Sequence, residues 1–364
     1  MHRFSFKRAS AATLVALAAM QHGLGSAAWA QSAPSVSNRA SPIAGQNSTS
    51  AGRSTYAQLG NIHEPSAVQQ LPDGRLLVVE DEAQSAFSLL RVNDDNTLVE
   101  DVAASQTMRQ SIPGELSDLE ALAADESGHF YAATSYSEVH ANQGGRRRAQ
   151  RERLVRFTLA DNRMQDVRDA PNLKDALQKS TAVQQAIQDQ TGMRVDFSRL
   201  NLEGMAYNKR SKHLLLGLRE PQSGSQSLII TIKNPDAMFE RGAEPAFGDV
   251  FALDLKGSGI RSLAYYAPAD TYLIANETIK TDSRKPASQL WLWDGRAQSA
   301  PRKVHLPELD TLKNAEAITV ATVRGQERLV VLGDNGSRKR KRGASYFIID
   351  AGRILPPFVR AHSS

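Results

Sequence analysis

One pattern recurs five times along this 364-residue chain: a short apolar stretch, a turn, and a longer apolar run closing on polar or acidic residues. Ser66-Ala67-Val68 leads through Gly74 to 76–82, and Glu120-Ala121-Leu122-Ala123 leads through Gly128 to 130–135. Glu203-Gly204-Met205-Ala206 leads to 214–220, Arg261-Ser262-Leu263-Ala264 to 272–277, and Glu316-Ala317-Ile318-Thr319 to 329–335. Short runs bounded by turns read as strands. Third strands follow at 87–92, 153–159, 227–232, 289–293 and 346–349, with fourth strands expected at 97–102, 249–255 and 302–306. Four strands per repeat, at a spacing of roughly fifty residues, are the signature of a β-propeller.

The expected fold class is therefore all-β, a propeller of five blades, with room for a sixth in the irregular segment 161–200. The last unit lacks a fourth strand of its own. Residues 56–59, ahead of the first unit, are placed to supply it and close the ring, which removes exposed sheet edges. Between blades two and three, a helical insertion is expected over about 171–192. There Leu173, Leu177, Val183 and Ile187 form an apolar stripe behind Asn172, a suitable N-cap. It would cover the propeller edge or act as a lid, and covering is the commoner role of such insertions.

With 41% apolar residues the chain can bury a large core, and without cysteine it must do so without disulfides. The first thirty residues read as a secretory signal peptide: Arg3, Lys7 and Arg8, an apolar stretch over 9–20, and a small-x-small site at Ala28-Trp29-Ala30. That stretch is too short to remain as a membrane anchor. Residues 31–54 are rich in Ser, Ala, Asn, Gly and Pro and read as a disordered leader. The propeller is then expected over 55–358, with a tail at 359–364. Loss of the three basic residues of the signal lowers the formal charge from +5 to +2, so the basic balance is weak evidence for a nucleic-acid partner. The expected location is outside the cytoplasm, in a bacterial periplasm or secreted.

Because paired strands run antiparallel, the start of each first strand lies beside the end of the second. In a propeller the first strand lines the central channel, so equivalent positions should gather at one mouth. The starts are Ser66, Glu120, Glu203, Arg261 and Glu316. The ends, counted sixteen residues on in four units and eighteen in the fifth, are Glu82, Tyr136, Arg219, Glu277 and Asp334, with Asp81, Asp118, Ser135 and Glu220 adjacent. Turn chemistry favours Asp, Asn or Gly over Glu, so recurrent Glu at a strand start asks for another explanation.

Three readings compete. Arg219 and Arg261 pair with neighbouring acids and hold the blades together. Alternatively, carboxylates hold a hard cation, Ca²⁺ by preference, with Glu82, Glu277 and Asp334 as ligands. In the third, Glu203, Glu120 and Glu316 are catalytic acids or bases, and Arg219, Arg261 and Ser135 hold an anionic substrate. Two basic loops, at Arg146-Arg147-Arg148 and from Arg338 to Arg342, read as solvated tips or as contacts for an anionic envelope polymer. Sparse aromatic interleaving argues against nucleic acid. There is no G-x-S-x-G, H-E-x-x-H, P-loop or G-x-G-x-x-G motif.

Asp118-Leu119-Glu120-Ala121-Leu122, Leu202-Glu203-Gly204-Met205-Ala206, Leu216-Gly217-Leu218-Arg219, Gly259-Ile260-Arg261-Ser262-Leu263, Leu290-Trp291-Leu292-Trp293-Asp294-Gly295 and Ala315-Glu316-Ala317-Ile318 together resemble a bacterial exported family, domain of unknown function 3616. That family is similar in texture to phytase-like and esterase-like propellers. The resemblance runs from about Ile62 to Asp350 and implies a propeller without bringing catalytic residues. Glu120-Ala121 and Glu316-Ala317 depart from the Glu-Gly of blade three, where glycine permits close backbone approach. The expected function is Ca²⁺-assisted hydrolysis of a small anionic ester or phosphoester at an acidic mouth. The alternative is a non-catalytic ligand- or protein-binding propeller of the cell envelope.

Overall fold

The computed structural model describes residues 56–82, 86–138, 149–279 and 286–354. The segments read as an export signal and leader, Arg146-Arg147-Arg148 and the tail lie outside them. Within them, twenty strands form five antiparallel sheets of four. A two-residue strand, β1 (Ala57–Gln58), comes first. Blade one follows with β2 (Pro65–Gln70), β3 (Leu76–Glu80), β4 (Phe87–Val92) and β5 (Leu98–Glu100). Blade two comprises β6 (Leu119–Ala124), β7 (Phe130–Thr134), β8 (Leu154–Ala160) and β9 (Arg163–Asp169). Blade three comprises β10 (Asn201–Asn208), β11 (His213–Glu220), β12 (Ser227–Ile232) and β13 (Phe247–Leu253). Blade four comprises β14 (Ser262–Tyr266), β15 (Thr271–Glu277), β16 (Ser288–Trp293) and β17 (Arg302–Val304). Blade five holds β18 (Ala315–Val323), β19 (Gln326–Gly333) and β20 (Ser345–Asp350), and β1 completes it by pairing with β20.

The innermost strands touch in cyclic order, β2 to β6, β6 to β10, β10 to β14, β14 to β18, and β18 back to β2. The molecule is a five-bladed propeller. Segment 161–200 supplies β9 and helices and no sixth blade. Its core is divided into five apolar clusters, each between neighbouring blades. A blade is thus packed on both faces, and β3, β7, β12 and β16 are buried at every position. Their sequences are accordingly continuous apolar runs with little alternation, the same logic that governs any sheet covered on both sides.

The insertion is two helices, α2 (Leu173–Lys179) and α3 (Thr181–Thr191), where a single one is expected. Asn172 caps α2 by accepting from the Asp175 amide, and Ser180 interrupts the run and caps α3 by accepting from the Val183 amide. Gly192, at φ 73°, ends α3 in the left-handed conformation. Leu173, Leu177, Val183 and Ile187 pack into the core shared by blades two and three, so the insertion covers an edge. A short helix, α1 (Val102–Arg109), missed by the sequence reading, seals the edge of blade one, with the Asp101 carboxylate capping it at the Ala104 amide.

Candidate functional site

Four of the five blades carry a β-bulge at the same place. Pairing slips between Pro65 and Ala67, Leu119 and Ala121, Leu202 and Gly204, and Ala315 and Ala317. The residues skipped are Ser66, Glu120, Glu203 and Glu316. A bulge inserts one unpaired residue and re-aims its side chain, and here all four line a cavity of about 250 Å³ at one mouth of the channel. Blade four has no bulge. Its strands pair regularly from Ser262 with Ala275, while Arg261 ahead of them donates its amide to the Ala275 carbonyl at 2.8 Å and also faces the mouth. All five expected first-strand positions therefore meet around one axis.

The second strands obey a related rule. In the bulged blades the mouth residue immediately follows the partner of the residue before the bulge: Asp81, Ser135, Arg219 and Asp334. A fixed count of sixteen overshoots this position by one in blades one and two. Glu82 is consequently outside the cavity lining and pairs with Arg338 at 2.6 Å. Tyr136 turns into the core. In blade four the corresponding position is taken up by Asn276, fully buried and bonded to the carbonyls of Leu255 and Ser258, and Glu277 lies outside the lining. Asp118, which the sequence places beside the repeat positions, comes from just ahead of β6, Arg151 from the segment between β7 and β8, which the repeat could not disclose, and Asn201 from just before the bulge of blade three.

The mouth has two halves. On one side Arg261, 6% exposed, ion-pairs with Glu316 and sits 3.4 Å from Glu203, both carboxylates being buried. Glu203 also accepts from Arg219 at 2.6 Å and from the Asn201 amide at 3.1 Å. Two acids and two guanidinium groups balance there. Arg219 keeps 43% of its side chain exposed, so part of its fork faces open space.

On the other side acids outnumber bases. Asp81, Asp118 and Glu120 each present a carboxylate oxygen within 4.8 Å of the others. Asp118 accepts from Arg151 and from the Ser135 hydroxyl, and Ser135 and Ser137 share a contact of 2.8 Å. Burial, the hydrogen bond to Asp118 and the charges of Asp118 and Glu64 push Asp81 up to about 7. Burial, with Glu203, Asp118 and Asp81 nearby, holds Glu120 well above the ordinary carboxylate range. Asp334 is raised to about 6, first by burial and then by Glu64, against the pull of Arg261. Around the whole lining, six carboxylates face three guanidinium groups. The site is firmly built, because backbone bonds from Asp118 to Asp81, Leu202 to Ser135 and Ile260 to Leu218 tie neighbouring blades beside it.

Below the mouth the channel narrows to a waist lined by Ala67, Val68, Ala121, Leu122, Leu263 and Ile318, with a cavity of only about 10 Å³. Beyond it the opposite mouth opens to about 480 Å³ among Phe130, Tyr207, Tyr265 and Tyr266.

No curated protein matches the chain. Among solved structures it is similar to an α-L-arabinofuranosidase from Clostridium thermocellum, at TM-score 0.43 and 12% identity over 74% of this chain and 81% of that one. It is also similar to an endo-arabinase from Bacteroides thetaiotaomicron, at TM-score 0.43 and 10% identity over 82% and 97%. A calcium structure of a Trichoderma reesei carbohydrate-active enzyme of family AA12 gives TM-score 0.40 and 13% identity over 81% and 95%. These likenesses are of general shape. The family model described as Protein of unknown function (DUF3616) matches residues 166–350, from within β9 to the end of β20. That match begins later than the resemblance read from Ile62 but spans just over half of the 364 residues, and the chain belongs to this family.

Proposed function

We propose that the chain is a divalent-cation-dependent hydrolase of a small anionic ester, with Ca²⁺ as the first cation to test. The observation that carries the reading is the convergence of Asp81, Asp118 and Glu120 within 4.8 Å. Arg151 offsets one of the three charges through Asp118, the other two call for protons or a bound cation, and hard oxygen donors suit Ca²⁺. Asp81, Asp118 and Glu120 would hold the ion, with the hydroxyls of Ser66 and Ser135 in the same lining. When bound, such an ion offsets the charge of an incoming anion and polarises its ester bond.

The candidate roles divide accordingly. Arg219, bonded to Glu203 but with its fork partly open, would take the anionic group. Arg261 is enclosed by Glu203 and Glu316, so these three serve as framework. Asp334, raised to about 6 outside the carboxylate triad, is poised as a general base near neutrality. Location outside the cytoplasm belongs to the same proposal and rests on the basic, apolar and small-x-small pattern of 1–30. Among the described residues, no helix is long and apolar enough to cross a membrane.

The balanced Glu203–Arg219–Arg261–Glu316 side supports the second reading, a binding propeller whose charges brace the mouth. Melting with Ca²⁺ or chelator, beside turnover of phosphoester and lactone panels, separates the two. The hydrolase reading expects Ca²⁺ to raise Tm and to support turnover. Asp334→Asn should then abolish turnover and keep the Ca²⁺ shift, while Glu120→Gln should lose both. A Ca²⁺ shift with no turnover on any ester favours the binding propeller, and absence of both ends the cation reading.

A further inference from the structure

The loop joining β19 to β20 leaves the propeller at the acidic mouth, because Asp334 lines the cavity just before it. It carries Arg338, Lys339, Arg340, Lys341 and Arg342 in succession, with no acid between Asp334 and Asp350. It is a built turn. Ser337 and Arg342 bridge across it, the Gly336 amide donates to the His63 carbonyl at 2.9 Å, and the Arg342 carbonyl lies 2.9 Å from His63 Nδ1. A Cβ at Gly336 or Gly343 would run into the backbone of His63 or Leu59, so both ends of the turn are clamped to the segment entering blade one. Five cations are thereby held outward on one tip, all exposed. Arg338 pairs with Glu82, and the charge of Lys339, Arg340, Lys341 and Arg342 remains at the surface.

Two apolar side chains stand on the same face. Ile279, 62% exposed, follows the mouth-side end of β15. Met193, 50% exposed, lies against the loop that leaves the mouth-side end of β11, where a Cβ at Gly224 would meet its sulfur at 3.5 Å and where Thr191 accepts from Ser223 at 2.7 Å. These are the two most exposed large apolar residues among the described residues. The mouth carboxylates are recessed in the cavity below this rim, and rim Glu220 is paired with Arg199 at 3.0 Å.

We infer that the mouth face docks on an anionic phospholipid surface. A clustered basic tip supplies attraction to acidic headgroups, and separated apolar side chains enter the headgroup boundary. A soluble polyanion would use the basic tip alone and gain nothing from Ile279 and Met193, which is why the observations favour a lipid surface. Docking would hold the acidic cavity against the membrane, and it stands whether or not the cavity is catalytic.

Co-sedimentation of the full chain with phosphatidylglycerol–phosphatidylcholine vesicles, pure phosphatidylcholine vesicles and soluble polyphosphate tests this. Binding is expected to the anionic vesicles only and to fall steeply with salt. The triple variant Lys339→Ser, Arg340→Ser, Lys341→Ser alters exposed side chains and should reduce vesicle binding at least tenfold with Tm unchanged. The pair Ile279→Ser, Met193→Ser should reduce it severalfold at constant charge. Failure to bind anionic vesicles overturns the inference. So does vesicle binding indifferent to Ile279→Ser, Met193→Ser, or polyphosphate binding without vesicle binding, since either leaves a simple polyanion contact.

Discussion

Arg261 lies between Glu203 and Glu316 with almost no access to water, and what it contributes is best seen by its loss. Arg261→Met would leave buried Glu203 with Arg219 and Asn201 and would take from buried Glu316 its ion pair. Breaking a buried pair by removing one partner costs about 3–5 kcal/mol, and thermal unfolding should show a correspondingly lower Tm. The acid-rich side predicts an opposite sensitivity, to pH. Asp81, raised to about 7, and Asp334, raised to about 6, keep protons that the unfolded chain has already released. With more protons bound when folded, stability is greatest at low pH within this window and falls as pH rises from about 4 to about 7. Urea midpoints across that range should decline for the native chain, less so for Asp81→Asn, and Ca²⁺ should remove much of the decline. Ser66, Glu120, Glu203, Arg261 and Glu316 were legible because each occupies one place in a repeat. Glu82 and Glu277 were misplaced because a fixed count of sixteen ignores the length of each hairpin and runs one residue past the inward-facing Asp81 and the buried Asn276. Asp118 was legible only as a neighbour of the repeat positions, and Arg151 arrives between β7 and β8, where no period applies.

At the scale of elements, the strands easiest to read were those packed on both faces. β9, whose residues are mostly exposed or partly exposed at the outer edge of blade two, carries no such run and stayed hidden in the segment before α2. The glycine after the bulge in blade three also has a different purpose from close approach to a ligand. A Cβ at Gly204 would lie 2.9 Å from Ile260 and from Leu263, and one at Gly217 would lie 2.8 Å from Ile260. The small residues admit the neighbouring blade. Gly204→Ala should therefore destabilise by about 1–3 kcal/mol through overpacking, measured by urea denaturation. Ile260→Leu in the same chain, which takes away the Cγ2 methyl that the new Cβ would meet, should return part of the loss, and a change confined to the mouth would not do so.

At the scale of the molecule, the ring is fastened by very little chain. β1 offers two residues to β20, and the Leu59 amide donates to the Ala344 carbonyl at 2.8 Å. A side chain at Gly343 would displace Leu59. Gly343→Ala should lower Tm and promote concentration-dependent association in light scattering, since an unlatched β20 becomes an open sheet edge. The constriction at Ala67, Ala121, Leu263 and Ile318 sets a different limit. With no passage of useful width through the middle, the charged chamber is a cul-de-sac. Anything admitted must back out through the doorway it used, so arrival of the next molecule waits on departure of the last.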